Sequence, residues 1–439
     1  MAVTFQAAEI LSVGTELLLG DIVNTDAAFL ARELAALGIP CYHQSVVGDN
    51  PGRLRGALEL ALGRSDLIIL TGGLGPTCDD LTKETAAAVM GKTLVLHERS
   101  YERLKSILSR RNIPESDNQK KQAMLPPDAY VFDNDYGTAP GFAMEDDGGH
   151  TMILLPGPPR ELEPLFTERV KPYLSLRSGE VFYSVNIGIF GIGEGAVGAC
   201  LQDLMTRSGN PTVAPYCGEG EVRVRITARG KTEDECRAVC AEYEDIIRHR
   251  SCEPYRPGIF DDYVYGTDCD SVAEGAVRLL RAKHLTVSAA ESCTGGYLAK
   301  RITDVPGASE ILSGSFVTYS EATKKQFVGV SDKTLRECSV YSEEVAEEMA
   351  RGAARVTGAD IGVGITGLAT GSDVRVYKGK EETLPAGTVF VSCVRGDRVQ
   401  TVRLHLDPGR RNPIEGREFV RRRAANQALW MIFKMGKED

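Results

Sequence analysis

A chain of 439 residues is too long to bury around one hydrophobic core and implies two to four domains. With 42% hydrophobic and 26% charged residues it is neither disordered nor fibrous, and a formal net charge of −10 argues against nucleic acid as a partner. Its apolar runs, such as 67–70 and 152–155, are only strand-long, its first residues carry no basic-plus-apolar leader, and its eleven cysteines form no CxxC pair; no membrane span, no structural zinc and reduced thiols in the cytoplasm are expected.

Ala8–Val13 reads as a strand running into Gly14-Thr15-Glu16 and a polar loop with Asp21 and Asn24. Phe29, Leu30, Leu34 and Leu37 recur at helical spacing up to Gly38; residues 39–47 read as the next strand, 54–62 as a helix, and 66–70 as a continuous apolar strand of the kind buried on both faces. Strands alternating with helices predict a doubly wound α/β sheet.

The strand at 66–70 delivers Thr71-Gly72-Gly73-Leu74-Gly75-Pro76-Thr77-Cys78-Asp79-Asp80. In open α/β sheets ligands sit beyond the carboxyl ends of strands. Gly72, Gly73 and Gly75 expose backbone N–H groups suited to phosphate oxygens, with Thr77 and Asn24 as further substrate-binding candidates. Asp79 and Asp80 repel phosphate unless a divalent cation intervenes, so the combination suggests a metal-bound phosphoanhydride. The alternative is that either carboxylate merely caps a helix at 81–90. Neither GxxxxGK[ST] nor GxGxxG occurs.

Three motifs of this half, GTELLLGDIVNTD (14–26), TGGLGPTCDDLTKE (71–84) and LLPGPPREL (154–162), resemble the competence/damage-inducible protein family CinA, in that family's order. The resemblance implies a molybdopterin-binding-type domain over 1–172, acting as an ADP-ribose pyrophosphatase that needs a divalent metal (Mg or a transition metal), with Asp26 standing where the family usually carries a second asparagine. Over 173–252, a strand at 181–189, a helix to about 205, an alternating strand at 221–228 and a helix at 232–248 read as a small α+β module, the KH-like domain of that family. Gly188-Ile189-Phe190-Gly191 formally matches a GXXG loop, but the helix after it carries Glu194 and Asp203, so a spacer or dimer interface is expected ahead of RNA binding. Pro254, Pro257 and Gly258 mark 253–270 as a linker, and residues 269–439 are expected to fold alone.

Residues 271–283 read as a helix, and the stretch 286–302, TVSAAESCTGGYLAKRI, changes its period midway. Residues 286–290 are strand-like, whereas Tyr297, Leu298 and Ile302 recur as in a helix. Between them Ser292, Cys293 and Thr294 are three possible nucleophiles, held beside helix-terminal N–H groups that can stabilise an oxyanion, with Gly295 and Gly296 allowing close approach. An ordinary glycine-rich turn is the alternative. None of the six histidines lies in these motifs, and a lysine can act as base only if its pKa falls. Lys324 is the candidate, against the alternative of a solvated lysine. Arg417, Arg421, Arg422 and Arg423 lie on a final helix reaching Phe433, and Arg422 is the candidate for pairing with a substrate phosphate, against a solvated basic face.

AESCTGGYLAKRITDVPGAS (290–309) and FVTYSEATKKQFVGV (316–330) closely resemble the nicotinamide mononucleotide deamidase domain of the same family, here 271–439. Carried over by position, Ser292 matches the nucleophile, Lys324 its general base, Tyr319 and Thr366 residues of the same site, and no cofactor is implied for this domain. Two departures stand out: Glu321 replaces an asparagine, and Thr370-Gly371-Ser372-Asp373 with a charged stretch to 384 replaces Gly-Pro-Gly-Gly before Pro385-Ala386-Gly387-Thr388. The implied protein is a bifunctional α/β hydrolase of pyridine-nucleotide salvage and a homodimer, acting on ADP-ribose and nicotinamide mononucleotide. Alternatives are a non-enzymatic competence or recombination partner, a deamidase domain with lost or altered substrate, and an N-terminal pterin-binding module.

Overall fold

The apolar runs of the first 155 residues become strands buried along their whole length, as a sheet covered on both faces requires: Ala8–Val13, Leu67–Thr71 and Thr151–Leu155. In the computed structural model, which describes residues 5–77, 79–110, 112–177, 181–207, 209–218, 220–409 and 411–438, they form a six-stranded sheet in the order Cys41–Val47, Ala8–Val13, Leu67–Thr71, Thr151–Leu155, Gly141–Glu145, Tyr130–Phe132. The first four strands run parallel and the last two antiparallel. Leu30 and Leu34 of helix Thr25–Ala36 join Leu162 and Leu165 of Pro159–Leu165 in one core. Leu54 and Leu58 of Pro51–Leu62 join Ala86 of Thr82–Val89 in another. Because Cys41–Val47 and Leu67–Thr71, the next two strands in the chain, lie on opposite sides of Ala8–Val13, the turns after Val13 and Thr71 open a crevice at the carboxyl edge of the sheet.

The chain divides into two compact units, residues 1–184 with 227–239, and 185–226 with 240–439. The middle sheet has the order Thr212–Cys217, Glu221–Gly230, Val181–Phe190, Val264–Thr267. Two expectations change here. The GXXG match is not a loop: Gly188, Ile189 and Phe190 belong to a strand, with Ile189 and Phe190 buried. Nor is 253–270 a bare linker. Phe260 is fully buried, Val264–Thr267 pairs with Val181–Phe190, and Tyr265 and Phe190 share one core with Val272, Ala276 and Phe433. Apolar residues spaced among prolines and glycines carried this signal.

The last module is a five-stranded sheet in the order Leu312–Val317, Val287–Glu291, Ile361–Gly367, Thr388–Arg395, Arg398–His405, the first three parallel. Helices Val272–Ala282 and Pro413–Lys437 cover one face and Glu343–Thr357 the other. A Cβ on Gly362 or Gly364 would lie 2.1 and 2.0 Å from the carbonyls of Ala350 and Ala346, so the strand can seat against this helix only with glycine there. The stretch that departs from the family pattern is a hairpin, Asp373–Tyr377 with Lys380–Leu384. Among the described residues no helix is long and apolar enough to cross a membrane.

Candidate active sites

In the first unit the crevice is a cleft of about 590 Å³, lined by Asn24, Gly72, Gly73, Gly75, Asp79 and Asp80 among others. Gly72 (φ 91°) and Gly73 (φ 65°) are required by the turn, since a Cβ would meet Val13 O at 2.2 Å and Thr82 Oγ1 at 1.9 Å. The Gly72 N–H donates to Leu155 O and is lost as a donor to a ligand, so of the three glycines only Gly73 and Gly75 keep that candidacy. Thr77 is not in the lining: its N–H and hydroxyl both donate to Asp80 Oδ2, at 2.8 and 2.5 Å. Asn24 caps helix Thr25–Ala36 through Ala27 N and donates to Ser12 Oγ, so its polar atoms are engaged within the protein.

Among the described residues six carboxylates line this cleft (Glu16, Asp26, Asp49, Asp79, Asp80, Glu161) and no lysine or arginine does, although Lys121 Nζ donates to Asp80 O behind the loop. Among the described residues no group of three or more His, Cys, Asp or Glu is placed to hold an ion by itself. The donor set therefore suits an ion held by Asp79 and Asp80 together with phosphate oxygens, as magnesium is commonly bound, rather than an all-protein cage. Asp26, marked in the motif as standing where the family usually carries an asparagine, lines the cleft. It is 7% exposed, its Oδ1 has no hydrogen-bond partner, and burial, with repulsion from Glu163, pushes its pKa up to about 6.

In the second unit the change of period at 286–302 becomes strand Val287–Glu291, a turn, and helix Tyr297–Thr303. Ser292 sits at the strand end, its N–H donating to Ile365 O. Lys324, on the neighbouring helix Glu321–Val328, is fully buried and its Nζ donates to Ser292 Oγ at 2.9 Å and Thr318 O at 2.7 Å. Burial lowers the Lys324 pKa to about 8, opposed by Cys293 and Glu321. Cys293 is the opposite case, since burial pushes its thiol up to about 12 and so suppresses the thiolate.

Glu291, missed in the sequence, explains the turn. Its fully buried carboxylate accepts from the N–H groups of Gly296, Leu298 and Ala299 at 3.0, 3.1 and 3.0 Å. Gly295 N donates to Ser292 O and Tyr297 N to Thr294 O. Of the N–H groups from 292 to 299, only those of Cys293 and Thr294 remain outside these bonds, the former lying against its own thiol. Of the oxyanion donors expected over 294–296, Gly295 is therefore engaged by the Ser292 carbonyl and Gly296 by the Glu291 carboxylate, which leaves Thr294, with Cys293 beside it.

Tyr319 is 60% exposed and its hydroxyl accepts from Arg417 Nη2 at 2.5 Å; Arg417 also reaches Thr370 Oγ1 at 3.4 Å. Arg421 Nε donates to Thr294 O at 3.0 Å. Arg422 lines another pocket, with Tyr297, Arg301 and Glu274, that includes neither Ser292 nor Lys324. A helical step of one residue separates the two directions, which the run of arginines conceals. Thr366 is buried beside Ile365, and its hydroxyl donates to Val340 O at 2.9 Å.

Residues 9–176 match a probable molybdopterin binding domain, 184–253 the damage-inducible protein CinA KH domain, and 269–435 the CinA C-terminal domain. A CinA-like protein of Dictyoglomus turgidum is 43% identical over 423 residues, covering 95% of this chain and 99% of that protein. A putative competence-damage inducible protein of Clostridium novyi is 42% identical over 426 residues, 97% of both chains. With all three modules matched in order and such relatives aligned along nearly their whole length, the chain belongs to the CinA family.

Proposed function

We propose that the protein is a cytoplasmic pyridine-nucleotide hydrolase that deamidates nicotinamide mononucleotide in its C-terminal module and hydrolyses ADP-ribose to AMP and ribose 5-phosphate in its N-terminal module, with small nucleotides as ligands and a homodimer as the assembly. The observation that carries the first activity is the buried Lys324 amine 2.9 Å from Ser292 Oγ, with its pKa lowered to about 8. A neutral Lys324 accepts the Ser292 proton as Oγ attacks the carboxamide carbon. The tetrahedral oxyanion faces the Thr294 and Cys293 N–H groups. Lys324 returns the proton to the leaving ammonia, and water, deprotonated by the same amine, releases nicotinate mononucleotide from Ser292.

In the N-terminal cleft, Gly73 and Gly75 N–H groups would receive diphosphate oxygens and Asp79 and Asp80 would hold a divalent ion shared with that diphosphate. When bound, the ion supplies charge neutralisation at the phosphoanhydride. The acidic lining supports this reading, since six carboxylates outnumber Lys121, the lysine bonded to the loop, and would repel an unaccompanied diphosphate. Ammonia release from nicotinamide mononucleotide and AMP formation from ADP-ribose, assayed on one purified sample with and without chelator, test both halves. Absence of either product under saturating substrate and Mg or Mn removes that half.

A further inference from the structure

The N-terminal cleft has a wall that none of the motifs marks. Residues Lys121–Ala123 form a tight turn leading into Met124–Leu125, which pairs with Val95–Leu96. This turn is fastened to the glycine loop in both directions. The buried Lys83 amine, on helix Thr82–Val89 just after the loop, donates to Lys121 O at 2.6 Å and to Met124 O at 3.4 Å. The Lys121 amine donates to Asp80 O and, at 3.5 Å, to Thr77 O, and His97 N donates to Ala123 O at 2.9 Å. Gln122 stands between these anchors. It is 3% exposed, it lines the cleft together with Gly75, Asp79 and Asp80, and among the described residues its side-chain amide has no hydrogen-bond partner. An amide shut away from water without a partner is costly, and one on a turn held this firmly cannot swing out to find one. A ligand in the cleft is the partner that remains.

We propose that Gln122 is a further substrate-binding residue of this cleft, its amide N–H donating to an oxygen of the diphosphate received by the glycine turn. This rests on the phosphoanhydride reading of the cleft. Gln122 follows directly on the lysine bonded to Asp80, so it is fixed beside the loop that carries both metal-binding candidates and Gly75. The six carboxylates of the lining, when charged, can only accept hydrogen bonds and repel phosphate, whereas a glutamine amide carries two donors and no charge. It can therefore touch the anion with or without the ion in place.

Two probes separate this contact from the identity of the nucleotide: inorganic pyrophosphate, and the α,β-methylene analogue of ADP-ribose, whose bridging carbon prevents cleavage between the phosphorus atoms. Each is titrated calorimetrically into the full chain in the presence of Mg. Gln122→Met, which keeps the volume and removes the polar atoms, should weaken both probes on the order of tenfold. It should leave the unliganded Tm unchanged or raised, because the amide makes no bond within the protein that the change could break. Gln122→Glu keeps the shape and exchanges the donor for another negative charge, so it should weaken both probes on the order of 100-fold, which keeps the test open if Gln122→Met is poorly folded. Unchanged binding in Gln122→Met, tighter Mg-dependent binding in Gln122→Glu, as a metal ligand would give, or no pyrophosphate binding by the unmodified chain overturns the proposal. AMP formation from ADP-ribose is scored separately: Gln122-dependent binding of pyrophosphate by a protein that forms no AMP supports this proposal and removes the ADP-ribose reading alone.

Discussion

The two sites represent opposite states of preparation. Around Ser292 the reacting groups are already assembled: Lys324 is on the serine, Glu291 has fixed the turn, and Arg421 holds the Thr294 carbonyl, although the buried Thr294 and Thr318 hydroxyl oxygens have no partner. Among the described residues the N-terminal cleft is lined by six carboxylates, with Lys121 bonded to the backbone of the loop at Thr77 and Asp80, and the buried Asp26 Oδ1 has no partner. A nucleophile needs preorganisation before substrate arrives, whereas a diphosphate site working through an ion is completed by substrate and ion together. Burial pushes pKa values toward neutrality in both, Lys324 down to about 8 and Asp26 up to about 6.

The largest expected effect separates the sites. Ser292→Ala and Lys324→Ala should each cut deamidation by on the order of 10⁴-fold, with the double variant little worse, because nucleophile and base act as a unit. ADP-ribose hydrolysis should stay intact in all three, and Cys293→Ala should remain an active deamidase. Steady-state kinetics of both reactions decide this; loss of both activities in Ser292→Ala would break the contrast. Next in size, chelation or Asp79→Asn should lower ADP-ribose turnover by on the order of 100-fold without touching ammonia release. Asp80→Asn should do the same and also loosen the Thr77 turn, visible as changed amide exchange at Thr77.

The pH dependence sharpens the comparison. Deamidation kcat/KM should rise about tenfold per pH unit below about 8 and flatten above it, since only neutral Lys324 can accept the serine proton. The same shift has a stability sign: a lysine with a lowered folded pKa destabilises the fold below about 8, and that loss is relieved between about 8 and 10.5. Lys324→Met should therefore raise Tm at neutral pH while abolishing activity. Asp26 gives the smallest and mirror-image effect. Its folded pKa lies above the ordinary 3.8, so stability falls as pH rises from about 4 to about 6, and the penalty stays above that. Without added metal, Asp26→Asn should stabilise the protein by up to about 3 kcal/mol at pH 8 and by little at pH 4, measured by denaturant unfolding.

The elements that a sequence marks by period were readable from it: the apolar strands, the strand-to-helix change at 286–302 and the glycine turn at 71–75. The residues marked by what they touch were not. Glu291 differs from an ordinary strand-end acid only because three N–H groups converge on it. Residues 253–270 look like a linker until Phe260 and Tyr265 are seen buried, and a fragment starting at 269 would uncover Trp430, which lies 5.5 Å from Phe190, and Phe433 in the same core. Arg421 and Arg422 are equivalent as letters but face different groups.

The central claim is that Ser292 forms a covalent acyl intermediate with Lys324 as its base, and rapid-quench peptide mass spectrometry during nicotinamide mononucleotide turnover tests it most directly. The expected result is a nicotinoyl-nucleotide mass increment on Ser292 that is absent in Ser292→Ala and fails to form in Lys324→Ala. An increment on Cys293 instead, or full ammonia release by Ser292→Ala, would contradict it.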